Sequence, residues 1–218
     1  MIGKFIKAGL NRCCPSKVLV RGGRHAGNTI ALTFDDGPHP EHTLEILDIL
    51  KQRSLKATFF LQGVEAEHHP ELVRRIDQQG HQIANHGYIH CDTDEVDSVE
   101  YVAGILRAQQ VLEGIVGRPV ARVFRPPYGA TSLVTLWKLL KLGFQFVFWS
   151  VDSCDSFVQH PDELVDSFEK QPLRPGDILL FHEDYRLTVD ALPRILDRLM
   201  AEKYNFVSVS ELNAATAG

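Results

Sequence analysis

Short apolar runs alternate with helix-length amphipathic segments along almost the whole chain, and this alternation limits the fold more than any other feature. "TIALTF", "KATFFLQ", "HQIANH", "ARVFRPP", "FQFVFWSV", "GDILLFH" and "NFVSVS" read as strands. Between them "PEHTLEILDILKQRS", "HPELVRRIDQQG", "SVEYVAGILRAQQVLEGIVG", "SLVTLWKLLKLG", "PDELVDSFEK" and "TVDALPRILDRLMAEK" read as helices. The first helix turns Leu44, Leu47, Ile49 and Leu50 toward a core. Pro70 opens the second and Gly117 closes the third. Pro193 is expected to disturb the last one mildly. Strands alternating with helices imply a parallel α/β fold, because parallel strands need crossover connections. Seven or eight mainly parallel strands fit a closed or nearly closed barrel better than a five-stranded open sheet.

At 218 residues the chain suits one large domain, and no linker or repeat interrupts it. The net charge of -5 gives no reason to expect nucleic acid. No apolar run is long enough to span a membrane. The basic residues Lys4, Lys7, Arg12, Lys17, Arg21 and Arg24 all precede the first acid, Asp35. Ile2, Phe5, Ile6 and Leu10 share one face of a helix there. Residues 1–28 are therefore read as a basic N-terminal segment ahead of a catalytic domain at 29–218. Residues 1–24 could rest on a membrane surface, or a short helix there could close one end of the fold. Lys7 interrupts the apolar stretch, so it does not read as a signal peptide. Cys13, Cys14, Cys91 and Cys154 contain no CxxC pair and suggest reduced thiols. The expected location is cytoplasmic or peripheral to a membrane. Nothing in the pattern speaks to oligomeric state.

Unusual polar residues cluster where the predicted strands end. Asp35 and Asp36 follow "ALTF", Asn85 and His86 follow "HQIA", and Arg125 follows "ARVF". Asp152 and Asp155 follow "VFWSV", and His182 follows "ILLF". A single strand-terminal aspartate is most often a helix N-cap. Several such positions are harder to dismiss, because in a parallel barrel the C-terminal strand ends converge on the face that carries the active site. His86 and His90 are four residues apart, so one helical turn would stack their imidazoles. Two imidazoles and one carboxylate make a three-ligand metal site with a position open to water. The paired acids can then divide the labour, with Asp36 on the metal and Asp35 kept as a base.

These residues resemble a known family. "TFDDG" (33–37), "HGYIH" (86–90), "RPPYG" (125–129), "DSCDS" (152–156) and "LFH" (180–182) follow the order of the five motifs of the polysaccharide deacetylases, carbohydrate esterase family four. The resemblance covers roughly residues 29 to 212. It implies a distorted (β/α) barrel and a divalent metal, usually zinc, with cobalt or another ion as an alternative. The implied partner is a carbohydrate carrying N-acetyl groups, which are removed from N-acetylglucosamine units. By position, Asp35 matches the base and Asp36, His86 and His90 the metal ligands. Arg125 matches the arginine that orients the base, and Asp155 the acid behind the catalytic His182. The Tyr128 N–H matches an oxyanion donor, and Leu180 the wall of the acetyl slot. By charge pairing, Arg125 is expected to keep Asp35 ionised.

One departure stands out. A tryptophan usually follows the second aspartate of the fourth motif; here Ser156 stands there, with Phe157 next. Either Phe157 substitutes from one position along or the pocket is more open and polar; Phe157 could stack on a sugar ring or pack in the core. Tyr128 and Tyr185 could stack on sugar rings, Trp149 is expected in the core, and Asp152 could cap its loop or touch the site. Three other functions compete: the same hydrolysis on a lipid-linked aminosugar, a non-catalytic carbohydrate-binding barrel, and a phosphatase with Asp35 as nucleophile. The last would leave the histidine pair and "LFH" unused.

Overall fold

A computed structural model of the chain describes residues 17–19, 27–92 and 96–214. The strands are β1 (Val18–Leu19), β2 (Thr29–Gly37), β3 (Thr58–Leu61), β4 (Gln82–Asn85), β5 (Val123–Phe124), β6 (Gln145–Val147), β7 (Val151–Asp152), β8 (Ile178–His182) and β9 (Asn205–Val207). The helices are α1 (His42–Gln52), α2 (Gly63–His68), α3 (Pro70–Gln78), α4 (Ser98–Val116), α5 (Leu133–Lys141), α6 (Pro161–Lys170), α7 (Arg186–Ala201) and α8 (Val209–Ala214). Every strand pairing is parallel, in the order β1-β6-β5-β4-β3-β2-β8-β7, with β9 on the first residues of β2. This is the expected single-domain distorted (β/α) barrel. β1 comes from the predicted basic segment, whose amphipathic face at Ile2–Leu10 lies outside the described residues, as do Cys13 and Cys14. No described helix is long and apolar enough to cross a membrane.

The barrel's curl follows from one connection. β6 and β7 sit toward opposite ends of the strand order, yet only residues 148–150 separate them. Four extended residue steps reach about 14 Å, so the two ends of the sheet must come close together. The single strand read in "FQFVFWSV" is therefore two strands.

Strand parity sorts the core. Ile30, Leu32 and Phe34 of β2 face outward into a cluster with Ile46, Leu47 and Leu50 of α1 and Leu192, Ile195 and Leu196 of α7. Ala31 faces inward with Phe60, Ala84, Val123, Val147 and Ile178, and Val209 and Leu212 of α8 join them. A third cluster packs α4 and α5 on β5 and β6 through Ile105, Leu139, Phe124 and Phe146. In α1 the buried apolar positions are Ile46, Leu47 and Leu50, with Ile49 partly buried against them, while Leu44 of the expected stripe is exposed. Asp97 caps α4 by accepting from the Val99 N–H, and Gly117 closes it at φ 76°. The segment before Pro70 forms a further helix, α2. α7 runs through Pro193 without ending, and α8 follows β9.

Candidate active site

The two aspartates share one face of the site because β2 is bulged. Parity points Asp35 into the barrel with Ala31 and Thr33, and would send Asp36 outward. Between Phe34 and Gly37 the register with β3 shifts, Phe34 pairing with Phe59 and Gly37 with Leu61. One extra residue is thereby inserted, and Asp36 takes a left-handed φ of 69°. Both carboxylates consequently approach the same imidazole: His86 Nε2 lies 3.8 Å from Asp35 Oδ2 and 3.5 Å from Asp36 Oδ1.

His90 Nε2 also lies 3.5 Å from Asp36 Oδ1. One ligand atom from each of Asp36, His86 and His90 falls within 4.8 Å of the others. No helix carries the histidines. Gly87 turns the chain at φ 95°, its N–H donates to Asn85 Oδ1, and the Gly87 and Tyr88 carbonyls accept from Gly63 and Val64. The expected helical turn is a loop, because its backbone groups are spent on α2 rather than on one another. The ring centroids still stand 5.3 Å apart. The His86 Nδ1–H donates to the Arg125 carbonyl at 2.8 Å, which leaves Nε2 as the site-facing lone pair. Burial, against the pull of Asp36, lowers the His86 pKa to about 4, so this imidazole is neutral.

Arg125 crosses the barrel interior, fully buried. Its Nη1 donates to Asp35 Oδ1 and to Thr33 Oγ1, both at 2.7 Å, and its Nη2 to the Phe148 carbonyl at 3.2 Å. The guanidinium lies 4.0 Å from the Phe60 ring centroid. Burial raises the Asp35 pKa, and Arg125 pulls it down as expected but does not fully offset the desolvation of a fully buried carboxyl.

Opposite Asp35 stands His182, its register partner across β2 and β8. His182 Nδ1 lies 2.6 Å from Asp155 Oδ1, and Asp155 Oδ2 accepts from the His182 N–H and the Thr188 hydroxyl, each at 2.8 Å. Burial pulls the His182 pKa down, but the hydrogen bond and charge of Asp155, with Asp35 and Asp36 beyond, raise it to about 9. Asp155 is held below its ordinary value: its bonds from His182 and Thr188 together exceed the opposing effect of burial.

A cavity of about 880 Å³ opens over these groups. Asp35, Asp36, His86, His90, Tyr128, Phe157, Leu180 and His182 all line it. Tyr128 sits in the 3-10 turn Pro127–Gly129 at φ 55°, its ring edge-on to His90 at 4.4 Å. Phe157 is 80% exposed and so is a rim residue, not core. Trp149, expected in the core, also lines the cavity, and its Nε1–H donates to Asp152 Oδ2 at 3.1 Å. Asp152 caps its loop through the Cys154 N–H as well. Asn85 is not in the cavity; its amide binds the Ile105 carbonyl and Gln109. Burial raises the Cys154 thiol pKa, which lowers its share of reactive thiolate.

Sequence reading missed several groups: Thr33 holding Arg125, Thr188 donating to Asp155, Gln62 donating to Asp36 Oδ1 at 3.0 Å, and the buried Glu183. Glu183 directly follows "LFH", and Gln62 follows the β3 run, so strand-end polarity was the available signal for both.

A parallel barrel with a carboxylate–imidazole triad beside two proton-handling groups holds the parts of a hydrolytic site. The chain belongs to the polysaccharide deacetylase family, whose model matches residues 22–147. It is 36% identical over 187 residues to a peptidoglycan-N-acetylglucosamine deacetylase of Bacillus cereus, covering 84% of this chain and 67% of the relative. It is also 36% identical over 157 residues to a chitooligosaccharide deacetylase of Bradyrhizobium, covering 72% and 71%. The crystal structure of the Bc1960 peptidoglycan N-acetylglucosamine deacetylase, in complex with 4-naphthalen-1-yl-N-oxidanyl-benzamide, superposes with a TM-score of 0.83 at 34% identity, over 88% of this chain and 91% of that one.

Proposed function

We propose that the protein is a divalent-metal-dependent hydrolase that removes N-acetyl groups from N-acetylglucosamine units of a poly- or oligosaccharide. One observation carries the reading. The Asp36–His86–His90 cluster opens into the same cavity as Asp35 and His182, which stand side by side on paired strands.

Asp36, His86 and His90 would hold the ion. Two imidazoles and a carboxylate suit zinc, and the bond from His86 to the Arg125 carbonyl fixes the tautomer that a ligand needs. When bound, a divalent ion polarises an amide carbonyl and acidifies water. Asp35 takes the proton from the attacking water, oriented by Arg125, whose Nη1 is itself held by the Thr33 hydroxyl. Its raised pKa makes it a better base than an ordinary carboxylate. As the C–N bond breaks, His182 delivers its proton to the leaving amine, and Asp155 keeps that imidazole charged and aimed. The products are acetate and a free amino sugar. A Tyr128 N–H aimed at the developing oxyanion would contribute ~3 kcal/mol. Leu180 walls the acetyl slot, and Phe157 and Tyr128 offer rings to flanking sugars.

The test is acetate release from N-acetylglucosamine oligomers of increasing length and from a lipid-linked aminosugar, across a metal panel, with the products sequenced. The expected result is release that a chelator abolishes and Zn2+ or Co2+ restores, with the oligomers preferred. Oligosaccharide binding with no acetate under any metal would instead mark a non-catalytic barrel.

A further inference from the structure

We propose that Glu183 is a positioning residue for the metal-binding loop, and that its carboxyl is the reason position 37 is glycine. The inference rests on Asp36 being a metal ligand. Gly37 is not among the residues with left-handed backbone, so its conformation would admit an alanine. Space would not: a Cβ on Gly37 would lie 1.2 Å from Glu183 Oε2 and 2.4 Å from its Cδ. The glutamate carboxyl therefore fills the volume where residue 37 would carry a side chain.

Glu183 is fully buried and anchored on three sides. Its N–H donates to the Asp35 carbonyl at 3.0 Å, and its carbonyl accepts from the His42 Nδ1–H at 2.8 Å. Its Oε1 accepts from the Thr43 hydroxyl at 3.2 Å, and that hydroxyl in turn accepts from the His39 N–H at 2.8 Å. Oε2 has no hydrogen-bond partner and rests on Gly37. Burial, with Asp36, Asp184 and Asp35 near, pushes this acid up to about 8 against the bond from Thr43. The wedge reaches from β8 to the residue next to Asp36, which holds a left-handed backbone that side chains other than glycine rarely adopt. Glu183 keeps that turn in place from below, and a shift of residue 37 would carry the Asp36 carboxylate away from His86 and His90.

The experiment is a double-mutant cycle of Gly37→Ala and Glu183→Ala in the full chain. Co2+ affinity is read from the ion's visible absorption, and each variant is also melted. Gly37→Ala alone should weaken Co2+ binding by about tenfold or more, as loss of outer-shell support does. The double variant should bind more tightly and melt higher than Gly37→Ala alone, since removing the carboxyl makes room for the methyl. Glu183→Gln, which keeps the shape without charge, should stay close to wild type. If Gly37→Ala fails to fold, a folded double variant supports the clamp and an unfolded one overturns it. Wild-type Co2+ affinity in Gly37→Ala, or strictly multiplicative losses in the double variant, also overturns it. Co2+ binding and coupling without acetate release would sink the deacetylase reading alone; normal acetate release with multiplicative losses would sink the clamp alone.

Discussion

Two buried carboxylates, Asp35 beside the cavity and Asp155 behind His182, are both paired with a cationic group, and their acidities move in opposite directions. Asp35 meets Arg125 through one oxygen at 2.7 Å, and its pKa rises. Asp155 accepts from the His182 ring, the His182 backbone and Thr188, and its pKa falls. Burial opposes ionisation at both. Desolvation and donors together set the sign: at Asp35 burial outweighs the guanidinium contact, whereas at Asp155 the several hydrogen bonds outweigh it. On the proposed mechanism, one carboxylate is thereby suited to accept a proton and the other to hold a charge next to an imidazole.

Removing the proton acceptor should do most damage. Asp35→Asn is expected to retain metal and lower kcat by about three to four orders of magnitude, in the range of a lost general base. His86→Ala should lose metal and activity together, as metal analysis beside the assay will report. If Asp35→Asn stripped the metal, the two aspartates of β2 would have exchanged roles.

Asp155→Asn attacks the other side and should cost about a hundredfold in kcat. Its signature is the pH profile. With Asp155 present the alkaline limb follows His182 at about 9, and without it the limb should move down toward the ordinary 6.5. Stability should respond with the same sign. The folded-state pKa of His182 is raised, so its contribution is complete below about 6.5 and is lost as pH rises through about 9. Asp155 is depressed, so its contribution is present above 3.8 and is lost as pH falls. Wild-type melting temperature should therefore decline between about pH 6.5 and 9, and Asp155→Asn should flatten that decline.

Thr188→Val removes one donor from Asp155 and leaves the two from His182. A loss of about 1 kcal/mol in denaturant unfolding is expected, with a small upward drift of the Asp155 pKa. The smallest effect is reserved for the rim. Phe157→Ala should raise KM and leave kcat alone, with a stability change within about 0.5 kcal/mol, because the ring is 80% exposed.

Alternating apolar runs and helical stripes, together with polar residues at the strand ends, were enough to read a parallel barrel and to name the residues that meet at its mouth. These are local signals: period, length and the chemistry of the last residue in a run are properties of neighbours along the chain. The glycine that closes the long helix, Gly117, was equally readable.

What local pattern does not encode is where a side chain ends up once strands pair. Strict alternation would have sent Asp36 away from Asp35, and only the bulge against β3 brought both to His86. The loop at His86–His90 looked like a helical turn until its carbonyls were drawn to α2. Trp149 and Phe157 read as core candidates because apolarity was visible and the curl of the sheet at 148–150 was not. The sign of the Asp35 shift depended on how much water the barrel excludes, a quantity that belongs to the packed molecule. Residue type and spacing along the chain fixed which polar groups were available, whereas pairing register and burial, which involve residues from tens of positions to more than a hundred apart, settled which groups could act on one another.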